Sequence, residues 1–268
     1  MNLHYRFLNS LEDYKACVEL QRCVWGFEDN LDIVPIPLLV IGRKNGGFLY
    51  GAFDEKRLIG FIYSIVGIYT GKLIHCSHML AVLPEYQNQS VGYKLKIKQR
   101  EFALAQGIDL ITWTFDPFQV KNAFFNIEKL GAIIRNYYPD LYGETSSRIH
   151  YGLPTDRMLA EWYLNSDRVN RLAQNNRYVE KLDVENTFSF NIREDSIVRF
   201  SLESTKLLIQ MPANFGSIVE TDKNEASRLI LKLRDILLRC FEKHYYVKRF
   251  HIQKTATESK YFYYLQQD

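Results

Sequence analysis

The chain has 268 residues, 47% of them apolar and 24% charged, with 18 Tyr and 17 Phe, enough for one large or two small domains around an aromatic-rich core. A formal net charge of +3 is too small to point to nucleic acid or an anionic membrane surface, and no apolar run reaches the ~18 residues that a bilayer span needs. Cys17, Cys23, Cys76 and Cys240 form no Cys-x-x-Cys pair and no His-rich spacing accompanies them, so no metal site is expected. Scattered thiols and an opening that begins no signal peptide lead us to expect a cytoplasmic protein.

In chain order, residues 5–8 read as a short strand. Residues 11–25 read as a helix, with Ser10 as N-cap and Glu12 and Asp13 in its first turn. A short helix over 37–44 ends at Asn45-Gly46-Gly47. Strands over 48–53, 58–69 and 73–83, joined by brief polar turns, predict an antiparallel meander. The period then changes: residues 91–106 form a helix closed by Gly107. A strand over 108–114, a helix over 121–130 ended by Gly131, and a strand over 132–138 form a βαβ-like block with parallel or near-parallel pairing expected.

Residues 155–164 read as an amphipathic helix, and the polar stretch 166–176 as a linker. Strands are expected over 178–184, 196–202, 206–211, 246–253 and 260–265; the basic, aromatic segment Lys243–Phe250 alternates as a strand does. The clearest helix covers 225–244. Ala226, Leu229, Ile230, Leu233, Leu237, Cys240 and Phe241 share one face, and Asp222 and Glu225 stand at capping-box spacing. A boundary near 165 gives two domains, 1–165 and 166–268.

The stretch richest in chemistry is Val82-Leu83-Pro84-Glu85-Tyr86-Gln87-Asn88-Gln89-Ser90-Val91-Gly92-Tyr93, where a strand gives way to a helix. First-turn amides lack intrahelical partners and the macrodipole adds positive potential, so such a junction suits a diphosphate. Ser90 and Gly92 are small enough for close approach, and Lys94, Lys96 and Lys98 stand nearby as possible added charge.

On these residues the chain resembles the GNAT superfamily of acyltransferases. Its acyl-CoA motif is a strand, Val-x-Pro, then Gln or Arg-x-x-Gly-x-Gly or Ala; Val82, Pro84, Gln87 and Gly92 match, while Ser90 replaces the first glycine. The order that follows also fits, through Asn122 and Leu130-Gly131. A narrower likeness to a two-part bacterial and archaeal group rests on Trp113-Thr114-Phe115-Asp116-Pro117, Asn122-Ala123, Asn126, Tyr142-Gly143, Ser166-Asp167-Arg168, Pro212, Arg228, Arg234 and Tyr246-Val247. Some members of that group look like amino-acid N-succinyltransferases.

The resemblance implies an α/β (α+β) fold: a mixed, mostly antiparallel sheet flanked by helices, with a smaller α+β C-terminal domain. It implies N-acyl transfer from acetyl-CoA or another acyl-CoA, such as succinyl-CoA, to the amine of a small molecule such as an amino acid; a non-catalytic acyl-CoA-binding module is the alternative. The implied cofactor contacts are Leu80, Ala81, Val82, Gln87, Asn88, Gln89, Ser90, Val91, Gly92, Tyr93 and Asn122. His78 stands where relatives carry a Glu base, with His75 a weaker choice. Ile127 stands where they carry a tyrosine acid, which leaves Tyr138 and Tyr142 as candidates. Asp116 and Trp113 are candidate acceptor contacts, although Asp116 and Asn122 also suit turn and cap positions. Arg148, Arg157 and Arg168 are candidate carboxylate partners.

Overall fold

The computed structural model describes residues 3–27, 29–143, 152–174, 182, 187–193, 204–255 and 257–267. The chain divides into two compact units. One holds the residues up to Trp113 together with Tyr163–Asn165; the other holds most of the chain from Thr114 onward.

In the first unit, β1 (Leu3–Phe7), β2 (Phe48–Asp54), β3 (Arg57–Tyr69) and β4 (Lys72–Val82) run antiparallel in that order, and β5 (Leu110–Phe115) lies parallel to β4. Helices α1 (Leu11–Trp25), α2 (Ile36–Lys44) and α3 (Val91–Ala105) pack on these strands. The cap at Ser10 is reciprocal: Asp13 N donates to Ser10 Oγ at 3.2 Å and Ser10 N donates to Asp13 Oδ2 at 3.2 Å. Arg6 reaches the same carboxylate at 2.7 Å, and its hydrogen bond holds the Asp13 carboxyl down at about 2. Phe48, Leu49, Ile59, Phe61, Ile62, Ala81 and Leu95 fill the core beneath the helices.

Two irregularities in β4 shape its surroundings. Tyr63 pairs with Met79 and Ile65 with Cys76, so Ser64 alone faces both Ser77 and His78 in a β-bulge. On the opposite edge, β5 pairs with β4 only at His75↔Ile111 and Cys76↔Thr112. Beyond Cys76 and Thr112 the two strands part.

The second unit contains α4 (Val120–Ala123), which continues as a π-helical turn over Phe124–Lys129, then β6 (Ile133–Tyr138), β7 (Arg157–Tyr163), α5 (Asp167–Ala173), β8 (Phe188–Asn191), β9 (Lys206–Met211), α6 (Phe215–Thr221), α7 (Lys223–Glu242), β10 (Tyr245–Lys254) and β11 (Ser259–Gln267). Its strand order is β7-β6-β10-β11-β9-β8, antiparallel except for β8 with β9. Helix α7 packs on β6 and β10 through Ala226, Leu229, Ile230, Leu233, Ile236, Leu237 and Cys240. Its start is fixed by Asp222 Oδ1, which accepts from Glu225 N at 3.0 Å. Two carboxylates, Asp156 buried and Glu128 half-buried, tie the unit together. Asp156 accepts from Tyr137 Oη at 2.7 Å, from Arg234 Nη2 at 2.6 Å and from Asp140 N at 3.0 Å. Glu128 accepts from Arg249 at 2.9 Å and from Phe250 N at 2.8 Å.

The fold is therefore mixed α/β with mostly antiparallel pairing, as expected. Three local expectations are overturned. Residues 155–164 hold a strand, β7, not a helix: Arg157 through Trp162 are buried on both faces, so the segment has no polar face to alternate. The polar stretch after it is a helix, α5, capped by Ser166 Oγ accepting from Val169 N at 3.4 Å. The βαβ-like block does not pair its strands: β6 has β7 and β10 as neighbours, both antiparallel, and the parallel crossover is instead β4–α3–β5. The strands expected over 178–184 and 196–202 lie almost wholly outside the described residues.

Candidate functional site

In the first unit, β4 ends at Val82, a 3₁₀ turn follows over Pro84–Tyr86, and α3 starts at Val91. Asn88 and Ser90 both take positive φ, 61° and 62°, in the left-handed region. This gives the replacement of glycine by Ser90 its physical meaning, since the position needs a conformation that costs an L-residue about 1 kcal/mol or more. Ser90 Oγ makes no capping bond, so it leaves the first-turn amides of α3 uncapped. Gln87 Nε2 donates to Val82 O at 3.2 Å and Gln89 Nε2 to Glu85 O at 3.0 Å. Tyr86 anchors the turn through Asp54 Oδ2 at 2.8 Å. A Cβ on Gly92 would meet Leu80 Cδ2 at 3.6 Å and Val82 Cγ2 at 3.8 Å, ordinary contact distances, so α3 begins directly over the end of β4. Leu80 and Val82 are half-buried and Ala81 is fully buried.

His78 lies in the β-bulge, exposed, with its ring edge-on to Tyr63 at 6.3 Å. The protein mass around it lowers its pKa, so the imidazole is neutral and able to accept a proton near pH 7. His75 is wholly buried. Its Nδ1 lies 2.8 Å from Ser64 Oγ and its Nε2 2.6 Å from Gln106 Oε1, while Gln106 Nε2 donates to Gly46 O at 3.0 Å. Those partners assign the Nε2–H tautomer and make His75 a packing residue.

In the second unit, Asp116 is half-buried after β5 and its Oδ1 accepts from Phe118 N at 2.8 Å, closing an Asx turn. Burial raises its pKa, and Arg157 opposes the rise. Tyr142 is exposed; its hydroxyl lies 2.9 Å from Thr114 Oγ1, and the Arg157 guanidinium sits 5.3 Å over its ring. Tyr138 is half-buried opposite Arg157 in the β6–β7 ladder. Asn122 is exposed on α4, and Ile127 is fully buried. Arg168 is engaged by the fold, donating to Ile127 O at 2.6 Å and to Lys248 O, with Glu128 at 3.5 Å. Arg148 lies outside the described residues. No group of three or more His, Cys, Asp or Glu residues able to hold a metal occurs among the described residues, and no helix there is long and apolar enough to cross a membrane.

The model of the acetyltransferase (GNAT) family matches residues 10–132, the stretch that carries the β4–α3 turn. Over that stretch the chain is similar to GNAT acetyltransferase domains. Solved structures of similar shape include the NatC complex bound to Gag peptide and CoA, at 17% identity over 62% of this chain and 100% of that one, with a TM-score of 0.49. The ribosomal-protein-S18-alanine N-acetyltransferase of Escherichia coli is 12% identical over 59% and 92% of the two chains, with a TM-score of 0.46. Aminoglycoside 6'-acetyltransferase type Ii is 18% identical over 62% and 99%, with a TM-score of 0.48. No curated protein matches the sequence.

One residue within residues 10–132 was not singled out by its pattern. Of the three lysines on α3, Lys94 lies 5.8 Å over the Tyr5 ring and Lys98 pairs with Glu101 at 2.8 Å. Lys96 differs from both in being 2% exposed; its Nζ donates to Ser77 Oγ at 2.9 Å and to Gln99 Oε1 at 3.3 Å and sits 3.6 Å over the Trp113 ring. Burial drives its pKa well below the usual lysine value. Gln99 is equally buried, and its Nε2 finds no partner among the described residues. Trp113, a candidate acceptor contact, is buried beneath this lysine.

Proposed function

We propose that this protein is an acyl-CoA-dependent N-acyltransferase that moves an acetyl or succinyl group onto the amine of a small molecule, an amino acid being the class in view. The observation that carries the reading is the shape of β4. Past Cys76 its outer edge has no β5 partner, and it runs into a turn with left-handed residues at Asn88 and Ser90 and an uncapped helix start. An exposed strand edge suits a pantetheine arm, whose amides bond as an added strand would. Clustered first-turn amides suit a diphosphate. Leu80, Ala81 and Val82 would then hold the arm, and residues 87–93 the phosphates. Asn122 is assigned to the cofactor as well, and residues 1–165 are taken as the acyl-CoA-binding domain.

In the reaction, the acceptor nitrogen attacks the thioester carbonyl carbon, the C–S bond breaks, and an amide and a thiol result. His78 is the base assigned to the amine proton, since its depressed pKa keeps it neutral. A backbone amide near Leu80 is assigned to polarise the carbonyl. Tyr138 and Tyr142 are the candidates for protonating the thiolate, and Asp116 and Trp113 for facing the acceptor. Burial raises the pKa of Tyr138, which keeps its proton in place at neutral pH.

Ile127, buried and without a proton to give, favours a second reading, an acyl-CoA-binding module without turnover. The test is thiol release from acetyl-CoA and succinyl-CoA with a panel of D- and L-amino acids. Acceptor-dependent release supports the enzyme; ligand-induced stabilisation without release supports the module; neither one refutes both.

A further inference from the structure

Strands β4 and β5 are paired through Cys76↔Thr112 and no further, so the next residue on each is the first to stand apart: Ser77 on β4 and Trp113 on β5. One atom touches both. Lys96 Nζ is 2.9 Å from Ser77 Oγ and 3.6 Å from the Trp113 ring, at the root of the fork. We propose that Lys96 is a positioning residue that props β4 and β5 apart, at the width a pantetheine arm requires. This rests on the acyl-CoA reading above.

The geometry favours a lysine over any shorter residue. Its backbone belongs to α3, whose first turn supplies the amides of the β4–α3 turn. Lys96 stands five positions after Val91, about 7.5 Å along the helix axis. The long stem therefore reaches down from the phosphate end to the place where the strands part, and one helix sets both ends of the proposed binding groove. The groups around the amine are Ser77 and Cys76 on β4, Trp113 on β5 and Gln99 on α3. Stability alone gives a poor account of this arrangement. Burying an amine is costly even when it is hydrogen-bonded, and an apolar side chain of similar length in such a place is commonly neutral or stabilising. Lys96→Met should therefore fold, while losing the two polar contacts that fix Ser77 relative to Trp113.

The test compares two ligands by isothermal calorimetry: acetyl-CoA, which carries the arm, and adenosine 3′,5′-bisphosphate, the nucleotide end without it. For Lys96→Met we expect a melting temperature at or above that of the unmodified protein, at least a ten-fold weaker Kd for acetyl-CoA, and less than a two-fold change for the nucleotide. A purely structural role would move both ligands together or neither, and either result overturns the proposal. Should Lys96→Met fail to fold, Ser77→Ala is read the same way: selective loss of acetyl-CoA binding supports the proposal, and unchanged binding overturns it. If the unmodified protein binds neither ligand, the acyl-CoA reading itself falls, a result distinct from an ineffective Lys96 substitution.

Discussion

Replacing Gly92 by glutamate puts a negative charge at the second position of α3, above Leu80 and Val82. The new Cβ lands at contact distances of 3.6 and 3.8 Å from those side chains, so the backbone has no reason to move. An acidic residue in the first turn of a helix is worth about 0.3–1 kcal/mol, so folding should be unharmed. A carboxylate about 4 Å from a bound phosphate, at an effective dielectric near 20, costs binding ~4 kcal/mol, about three orders of magnitude in Kd. The assay is thermal unfolding with and without acetyl-CoA. Ligand at a hundred times Kd stabilises the native state by about 2.7 kcal/mol. For a chain of 268 residues that corresponds to a rise of roughly 5 °C. We expect that rise in the unmodified protein and in Gly92→Ala, and none in Gly92→Glu. An equal rise in all three would refute the placement of the phosphates, and loss in Gly92→Ala as well would refute the electrostatic part of the reasoning.

Three further outcomes are expected. His78→Gln should lower kcat by about 10²–10⁴-fold with little change in acyl-CoA affinity, and the acid limb of kcat/KM in the unmodified enzyme should lie below pH 6.5, because the protein mass around this histidine desolvates its charged form; an unchanged rate removes His78 as base. His75 is also depressed. The unfolded chain then binds its proton more readily, so the stability from its neutral form is full above about pH 6.5 and lost as pH falls. Denaturant titrations at pH 7.5 and 5.5 should show this loss, and a smaller one in His75→Gln. Arg234→Met strips the bidentate partner from buried Asp156, at 2.6 and 2.9 Å, and should destabilise the protein by about 3–5 kcal/mol; a change below 1 kcal/mol in urea unfolding would mean the carboxylate is adequately satisfied by Tyr137 and Asp140.

Where local chemistry and burial agree, the structure was legible in the sequence. Ser10 caps α1, as read from its place ahead of a first turn holding Glu12 and Asp13, and Asp222 caps α7, whose apolar stripe is the buried face. The strand-to-helix turn at 84–92 was readable from its proline and small residues, because a turn records its own backbone needs. The left-handed Ser90 was not, since serine carries no signal for positive φ. Strand β7 was misread because its Met158, Leu159, Ala160 and Glu161 are helix formers, and burial on both faces erased the alternation of a strand. Lys96 was hidden for a related reason. On α3 the buried face includes Lys96 and Gln99 beside Val91, Leu95 and Ala103, so a reading by apolar period places the lysine in solvent. Only the partner atoms on β4 and β5 reveal its position, and those come from residues 19 positions before it and 17 after it.

Amide chemical shifts of ¹⁵N-labelled protein during titration with CoA report the main-chain groups that meet the ligand. The largest changes should fall on Gln89–Gly92 and on Leu80–Val82, saturating together. Changes confined to other segments, or none at millimolar CoA, would contradict the assignment of this strand edge and helix start to the cofactor.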